Sequence, residues 1–391
     1  MKDETVKQTY LDFDEYIVAS EPHKREKAEA WKVAIGLQAV DGLQVSEYLK
    51  QTARRHIEGE ITIDEVKELV KQYYVSKTQH DDDEEDKQEA DRVSANIAKI
   101  INERAFTFST NELIAIHRNI FSGVFKHAGE LRTYDFTKKE WVLRGDTVLY
   151  GRWQDLRMAL EYDIDREKQF DYKGLSMEEV ITHLAQFVSG IWQTHPFREG
   201  NTRTTAVFII KYLQSIGFKA DNRLFEEHSW YFRNALVRAN YKNVAKGISQ
   251  DSHFLELFFR NLLMGENNEL KNRYLLVNPP EEWAHLVSSG QAQDKHRIST
   301  GQVQGMLHTD DPNIQKLICV VGEHELSVKE MMSGLALKGR DNFLNVYLSP
   351  AISEGYIRLL YPQSPRHPRQ RYLLTVKGLA LYQALNSDSA Q

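Results

Sequence analysis

The sequence predicts a mainly α protein with a helical core, a β-hairpin on that core and a C-terminal unit of helices and strands. Over most of the 391 residues, apolar side chains recur at three- and four-residue steps, the period of an amphipathic helix. The apolar and polar alternation typical of strands is confined to three places, near residues 138–150, 356–360 and 370–375. Several helical segments also begin at a residue suited to cap a helix, namely Ser46, Thr62, Ser176 and Ser327.

Composition and charge favour a soluble intracellular protein. Lys and Arg number 50 and Asp and Glu 56, so the net charge of -6 argues against a protein that coats nucleic acid but allows a local basic patch. The single cysteine, Cys319, excludes an intrachain disulfide framework and fits a reducing cytoplasm. Met1–Thr5 begin no apolar signal segment, and no apolar run approaches the length of a membrane span. We therefore expect a cytoplasmic protein without membrane contact.

Residues 1–80 are predicted to form a small helical module. Its three short helices are separated by turns that end in glycine, and such a bundle has little core of its own. We therefore expect the module to lean on its neighbour, as a packing element or as the surface of a homodimer. The predicted helices run from His23 to Val40 before Asp41-Gly42, from the cap Ser46 to about Glu58, and from the cap Thr62 through Ile63–Tyr74.

Residues 81–266 are predicted to form the main helical domain. The acidic run that precedes it, residues 80–86, is interpreted as a solvated linker or a helix N-terminus, because consecutive carboxylates do not share one face as metal ligands would. The segment from Lys138 to Tyr150 is predicted as a lone β-hairpin around a Gly145-Asp146 turn. Since a lone hairpin is marginal by itself, its edge is expected to take up an extended segment of a partner. The residues expected to meet that partner are Lys138, Trp141 and Leu143.

Residues 310–391 are predicted to form a separate α+β unit after a polar linker at residues 267–309. Three helices are followed by two strands that a Pro- and Arg-rich loop joins, which is the element order of a winged helix-turn-helix. The basic loop at residues 363–371 is placed to contact DNA phosphates. The third helix, however, carries Asp341 and Glu354 as well as cations. DNA contact and a protein-docking or packing role therefore both stay open.

The stretch from Thr194 to Arg203 lies between two helix-period segments. Ser176 and Glu179 have the spacing of a capping box at the start of the first helix, and Pro196 is placed to end it. The stretch is therefore predicted to be a loop at the N-terminus of a second helix. Free N–H groups and the helix dipole favour an anion at such a place.

The residue types in this loop suit phosphate chemistry. His195 can accept a proton from an alcohol near neutral pH. Glu199 can give an oxygen ligand to a Mg²⁺ ion that bridges phosphates. Gly200 allows backbone N–H groups to approach a phosphate, while Asn201 and Arg203 add side-chain donors. A surface loop without function would explain none of this clustering.

The loop resembles the signature of the Fic (filamentation-induced-by-cAMP) domain, His-Pro-Phe-x-[Asp/Glu]-Gly-Asn-x-Arg, at all seven fixed positions. The segment Ala128-Gly129-Glu130-Leu131-Arg132 and the predicted hairpin are similar to the part of that family that leads into its target-docking flap. The resemblance spans residues 92–265. It implies a helical core and transfer of AMP from ATP to the hydroxyl of a Ser, Thr or Tyr residue, on a target protein or on the chain itself.

Each loop residue takes a role from this resemblance. His195 is implied to be the general base, and Pro196 and Phe197 to be structural, with Phe197 anchoring the loop in the core. Glu199 is implied to hold Mg²⁺, and Gly200, Asn201 and Thr202 to bind phosphate. Arg203 is implied to bind the β-phosphate of ATP.

Two departures from the family pattern affect this expectation. Ala206 stands where many members have a second arginine for the γ-phosphate, and Thr202 stands where Gly or Lys is usual. Residues 1–80 look like the family's antitoxin module, whose motif [Ser/Thr]-x-x-x-Glu-[Gly/Asn] silences many members through a glutamate on that second arginine. Here the corresponding segment has Leu37, Asp41 and Gly42. Our hypothesis is therefore that the module packs on the core without making that lock.

A Mg²⁺-dependent protein adenylyltransferase is the function that these residues favour. One alternative is a DNA-binding regulator whose helical core senses a nucleotide. Another is the transfer of a different nucleotide-derived group, such as a nucleotide-linked choline, because the second motif arginine is Ala206.

Overall fold

The computed structural model describes residues 13, 21–77, 82–218, 223–278, 309–365 and 367–388. The mainly α prediction is confirmed, since the strands of the described residues form one two-stranded sheet. The helices of the N-terminal module and the core are α1 Pro22–Gly36, α2 Glu47–Glu58, α3 Ile63–Val75, α4 Asp82–Asn102, α5 Thr110–Ile120, α6 Leu156–Gln169, α7 Met177–Thr194, α8 Asn201–Ser215, α9 Arg223–Asn240 and α10 His253–Met264.

The C-terminal unit follows the predicted order of elements. Its helices and strands are α11 Pro312–Val321, α12 Val328–Gly334, α13 Arg340–Phe343, which continues through a π-helical turn Leu344–Leu348 into α14 Ser349–Ser353, β1 Ile357–Leu359, β2 Tyr372–Leu374 and α15 Val376–Asp388. The strands are antiparallel, with Ile357 opposite Leu374. A separate hydrophobic cluster holds this unit together.

The N-terminal module shares its core with the main domain. The predicted caps Ser46 and Thr62 are confirmed, because each accepts a hydrogen bond from the backbone N–H three residues on. Helix α1 ends at Gly36, and a 3-10 turn, Leu37–Asp41, carries the chain toward the main domain. The buried side chains of α1–α3 belong to the same hydrophobic cluster as those of α4–α10. The module therefore leans on the neighbouring domain, as predicted.

A buried carboxylate fixes the module on helix α4. Asp91 of α4 accepts hydrogen bonds from the N–H and the hydroxyl of Ser46, at 2.8 and 2.5 Å, and from the hydroxyl of Tyr74 at 2.8 Å. Burial raises the pKa of Asp91, while these donors oppose that rise. Residues 82–86 of the acidic run form the start of α4, in agreement with one of the two predicted interpretations, and residues 80 and 81 lie outside the described residues.

The predicted β-hairpin at residues 138–150 is wrong as a pair of strands. The segment does turn back, since the N–H of Glu140 donates to the carbonyl of Asp146 at 2.9 Å. Its tip, however, is a 3-10 turn, Trp141–Leu143, and no strand ladder follows. The physical reason is that Val142 and Leu143 are consecutive and both buried, so they cannot face opposite sides of a ribbon. Strand addition by a partner to residues 138–150 stays a prediction, because the segment forms no ladder within the chain.

Part of the predicted linker belongs to the core. A 3-10 turn at Asn272–Leu275 packs its apolar residues in the main cluster, and the N–H of Val277 donates to the carbonyl of Val142 at 2.9 Å. The rest of that prediction, from residue 279 to 308, lies outside the described residues. In the regions that the structure describes, no helix is both long and apolar enough to cross a membrane.

The C-terminal unit contacts the core through two glycines. A Cβ atom on Gly217 would come within 2.3 Å of the carbonyl oxygen of Gly355, so the two backbones touch with no room for a side chain. In the basic loop, Arg371 donates to the carbonyl of Glu325 at 2.6 Å and lies 3.4 Å from the Glu330 carboxylate. This cation is therefore engaged within the unit. DNA contact through residues 363–371 stays a prediction.

Candidate active site

The loop between α7 and α8 is shaped by two residues with left-handed backbone. His195 ends α7 with φ 48°, and Gly200 begins α8 with φ 72°. The capping box at Ser176 and Glu179 starts α7 as predicted, and Pro196 comes directly after the C-cap residue His195. A Cβ atom on Gly200 would lie 2.1 Å from the ring of Phe121, so glycine is required for space as well as for conformation.

Arg132 holds the C-terminal end of α7. Its side chain is fully buried, and its Nε donates to the carbonyl of His195 at 2.8 Å. The rest of the guanidinium donates to the carbonyls of Gly151 and Tyr134, and the N–H of Arg132 donates to the carbonyl of Pro196. Helix carbonyls at a C-terminus lack partners within the helix, and a planar guanidinium can serve several of them at once. Arg132, at the end of the Ala128–Arg132 segment, therefore holds the loop in place through its backbone carbonyls.

His117 supports the same loop from helix α5. Its Nδ1 accepts the N–H of Gly129 at 2.8 Å, so its Nε2 carries the proton and donates to the carbonyl of Glu199 at 3.2 Å. The His117 ring also stacks on Phe197, with centroids 3.7 Å apart. Burial lowers the pKa of His117 to about 4, which keeps this bonding pattern intact at neutral pH. Phe197 is buried in this packing, as the resemblance implied.

His195 is a buried, neutral imidazole at the cavity wall. Its side chain is 6% exposed and packs against the rings of Tyr150, Trp192 and Phe136. Burial, followed by the nearby Lys138 cation, lowers the pKa of His195 to about 3. The imidazole is therefore in its proton-accepting form at physiological pH.

The start of helix α8 offers backbone N–H donors, and the side chains of Asn201 and Thr202 fix its position through hydrogen bonds. The Asn201 amide closes on Phe197 alone: its oxygen accepts the Phe197 N–H at 2.9 Å and its nitrogen donates to the Phe197 carbonyl at 2.8 Å. One of the two amide N–H groups is used in this way, and the prediction that the other donates to phosphate stays a prediction. The Thr202 hydroxyl accepts the Trp192 indole N–H at 2.9 Å. The first N–H groups of α8 have no partner within the helix and lie at the cavity.

Glu199 is an exposed carboxylate at the mouth of the cavity. Within the described part of the chain, its carboxylate forms no ion pair and accepts no hydrogen bond. No group of three or more His, Cys, Asp or Glu residues that could hold a metal occurs among the described residues. A metal at Glu199 would therefore have fewer than three such protein ligands and would need further oxygen atoms from a substrate.

Arg203 is enclosed by residues from outside the loop. Its guanidinium is 2% exposed and lies 2.9 Å from the Asp41 carboxylate, through Nε. One terminal nitrogen donates to Gln38 at 3.0 Å, and the other to Glu89 of α4 at 2.8 Å. The degenerate motif at Asp41-Gly42 thus meets the first motif arginine, whereas the family's lock acts on the second. Ala206 is fully buried in the core.

One cavity of about 370 Å³ brings these groups together. Cations and carboxylates are mixed around it, and Lys138 is the one predicted docking residue that lines it. Trp141 is exposed, but Leu143 is buried in the core and cannot meet a partner, which corrects that expectation. The cavity is lined by Asp41, Leu43, Glu89, Phe136, Lys138, Trp192, His195 and the residues from Arg198 to Arg203, together with Arg233.

Several residues of the site escaped prediction from the sequence. Two of them, Glu89 and Arg233, line the cavity from helices α4 and α9. The others contact residues of the cavity wall, and no spacing along the chain joins them to His195; they are Gln38, Glu140 and Tyr150. The feature that marks these residues is that their charged side chains are buried in pairs. Burial of a charged side chain cannot be read from one sequence. Arg132 belongs to the Ala128–Arg132 segment that resembles the family, but the sequence does not indicate its contact with His195.

Comparisons with known proteins find two family models that match parts of the chain. Residues 107–213 match the model of the Fic/DOC family, and residues 312–375 match that of the C-terminal domain of Fic-like proteins (filamentation induced by cAMP). The chain is 25% identical over 142 residues to a protein adenylyltransferase of Bartonella henselae. It is also 25% identical over 114 residues to protein adenylyltransferase VbhT of Bartonella schoenbuchensis.

These matches are partial. They cover 34% and 29% of this chain but 26% and 23% of the two relatives, so the chain spans about a quarter of their length. A solved Fic family protein from Desulfovibrio desulfuricans G20 covers 96% of this chain and 97% of its own, with 17% identity and a TM-score of 0.39. The chain therefore carries one region that matches the Fic/DOC family, residues 107–213, and a second that matches the C-terminal domain of Fic-like proteins, residues 312–375.

Proposed function

We propose that this chain is a Mg²⁺-dependent protein adenylyltransferase, which transfers AMP from ATP to a Ser, Thr or Tyr hydroxyl on a target protein or on itself. One observation carries the proposal: a neutral histidine, a free carboxylate and a helix N-terminus with an arginine line the same cavity. The two similar proteins named as protein adenylyltransferases support the same reaction.

His195 is the proposed general base. It accepts the proton of the target hydroxyl, whose oxygen forms a bond to the α-phosphorus while the bond to the β-phosphate oxygen breaks and pyrophosphate leaves. A pKa of about 3 makes the imidazole a weak base in the free protein. The negative phosphates of a bound nucleotide raise the pKa of a neighbouring histidine, so the base strengthens when the donor is in place.

The loop supplies the proposed phosphate contacts. The backbone N–H groups of Gly200, Asn201 and Thr202 bind the α-phosphate, since they lie at a helix N-terminus. The Arg203 guanidinium binds the β-phosphate when its ion pairs with Asp41 and Glu89 break. Glu199 fits Mg²⁺, because that ion is commonly held by one or two carboxylates plus substrate phosphates. When bound, Mg²⁺ would neutralise charge on the phosphates.

The test is to incubate the full chain with ATP labelled at the α-phosphate, Mg²⁺ and cell lysate. We expect label on protein, with the added mass of one AMP on a hydroxyl residue by peptide mass spectrometry. His195→Ala should lower labelling at least about 100-fold, the low end of what a general base contributes. The exposed His23→Ala is the matched control and should label normally.

Two outcomes would change the proposal. Label that persists in His195→Ala would exclude His195 as the base. No transfer from ATP but transfer from another nucleotide, or from a nucleotide-linked choline, would keep the site and change the donor. Ala206 motivates that second arm, because it leaves the position of the γ-phosphate arginine without a cation.

A further inference from the structure

The His195 imidazole is held without a hydrogen bond at Nδ1. A histidine that acts as a base is commonly oriented by an Nδ1–H bond to a carboxylate or a carbonyl. In the described residues, the buried Nδ1 of His195 has no hydrogen-bond partner. The Trp192 backbone acts on the imidazole and raises its pKa, but it does not meet hydrogen-bond geometry at Nδ1, so the surrounding rings must contribute to the orientation of the imidazole.

Aromatic packing supplies the orientation. The Tyr150 ring stacks on the imidazole with centroids 4.1 Å apart and planes 30° from parallel. Trp192 meets the same imidazole edge-on, at 5.2 Å and 88°, and Phe136 is tilted against it at 5.6 Å. Tyr150 is thus the ring that covers the imidazole face, and the position of Tyr150 fixes the imidazole plane.

The far end of Tyr150 is anchored by a buried ion pair. The Tyr150 hydroxyl donates to one Glu140 oxygen at 3.2 Å, and the other Glu140 oxygen lies 2.7 Å from Arg233 of α9. The side chains of Glu140 and Arg233 are only 1% and 7% exposed. Burying such a pair gains little stability compared with apolar residues, so a positioning role accounts for it better than stability does.

We propose that Tyr150, held by the Glu140–Arg233 pair, is the positioning residue that orients the His195 imidazole toward the cavity. This inference rests on the proposed function for its catalytic meaning, but its geometry stands apart from the reaction. It gives the segment from 138 to 150 a role in placing the base, in addition to any target contact. Glu140 acts on His195 through the tyrosine ring, whereas the Arg233 cation also faces the imidazole directly and lowers its pKa.

The first test follows the His195 imidazole by NMR of protein labelled with ¹⁵N-histidine, with its signal assigned by loss in His195→Ala. The charged or titratable groups that face the imidazole are Tyr150, Lys138, Arg132 and Arg233. Tyr150→Ala opens the ring face to water, so the pKa of His195 should rise by at least about one unit toward its ordinary value. Tyr150→Phe keeps the ring and should change that pKa by less than about half a unit.

This NMR result needs no catalysis, so it separates the inference from the proposed function. An unchanged His195 titration in a folded Tyr150→Ala protein would overturn the inference. Equal shifts in Tyr150→Ala and Tyr150→Phe would overturn it as well, because they would assign the effect to the hydroxyl and not to the stacked ring. Circular dichroism and thermal unfolding establish that each variant is folded.

The second test uses the transfer reaction. Tyr150→Ala should lower kcat at least about tenfold while the KM for ATP changes less than about twofold, since misplacing a base affects the chemical step. Glu140→Gln should lower kcat in the same direction, because it loosens the anchor of the ring. The exposed Tyr162→Ala is the matched control and should keep full activity. A raised KM for ATP with unchanged kcat in Tyr150→Ala would contradict the positioning role.

Discussion

The Asp41 carboxylate lies 2.9 Å from Nε of Arg203, across the boundary between the N-terminal module and the Fic/DOC domain. The Glu89 carboxylate lies 2.8 Å from a terminal nitrogen of the same guanidinium. In this state Arg203 is nearly enclosed, so two carboxylates stand where a phosphate would have to bind. Our hypothesis is that the module makes no family-type lock at Ala206. The contact seen in the structure is a different one, between Asp41 of the module and Arg203.

Glu89→Gln should therefore improve donor binding. Removing one carboxylate frees a face of the Arg203 guanidinium and lowers the repulsion that a phosphate meets, so we expect the KM for ATP to fall about tenfold, or about 1.4 kcal/mol. Steady-state labelling with α-labelled ATP measures this. The exposed Glu85→Gln, one helical turn earlier in α4, is the matched control. An unchanged or higher KM would mean that Asp41 and Glu89 orient Arg203 and do not compete with phosphate.

Point variants are better suited to this question than deletion of residues 1–77. The module and the main domain share one hydrophobic cluster, and Ser46 and Tyr74 satisfy the buried Asp91 carboxylate. Deletion would expose apolar surface and leave Asp91 without these donors, so any change in activity could come from misfolding.

Gly200→Ala should destabilise the protein and damage the loop. The new Cβ would meet the Phe121 ring at 2.1 Å, in addition to the cost of φ 72° for a residue with a side chain. We expect a loss of about 2–4 kcal/mol in the free energy of unfolding, from overpacking and backbone strain together. Gly174→Ala is the matched control, because Gly174 has φ 71° with nothing within 4 Å of its would-be Cβ. Equal losses in urea unfolding for both variants would exclude the Phe121 contact as a cause.

Arg132→Lys should weaken the C-terminal end of α7. Lysine keeps the charge but cannot serve the carbonyls of His195, Tyr134 and Gly151 in one plane. We expect about 2–4 kcal/mol of lost unfolding free energy, because charged hydrogen bonds contribute about 1.5–3 kcal/mol each. The exposed Arg157→Lys, paired with Glu161, should cost less than about 0.5 kcal/mol. Similar denaturant midpoints for the two variants would show that Arg132 is not essential to the loop.

Local pattern explains what could be predicted from the sequence and what could not. Caps such as Ser176 and the stop at Pro196 act within a few residues, so helix ends were predicted well. The segment at 138–150 was assigned by alternation, but burial of Val142 and Leu143 against Val277 decided its shape. In the loop, Asn201 has the expected position but bonds to the backbone of Phe197. The partners of Arg203 come from chain positions more than 100 residues away, and no spacing rule reaches that far.

Acid should destabilise the protein below about pH 6.5, because the folded state keeps its buried histidines neutral while the unfolded chain can protonate them. Burial lowers the pKa of both His56 and His117 to about 4, so the unfolded chain binds protons that the folded chain does not. Stability is then fully present above the unfolded pKa, and each such histidine removes up to about 1.4 kcal/mol per pH unit between about pH 6.5 and 4. Urea unfolding from pH 7 to 5 measures this slope.

His56→Gln isolates the contribution of one histidine, far from the loop. The Trp31 indole donates to Nδ1 of His56 at 3.0 Å, and a glutamine oxygen can accept the same hydrogen bond, so the variant should fold. Its unfolding free energy should fall less steeply with acid than that of the natural sequence. The difference in slope should correspond to one proton, up to about 1.4 kcal/mol per pH unit. The exposed His324→Gln, in the C-terminal unit, is the matched control. If His56→Gln kept the slope of the natural sequence, His56 would not contribute to that slope, and the lowering of its pKa by burial would be contradicted.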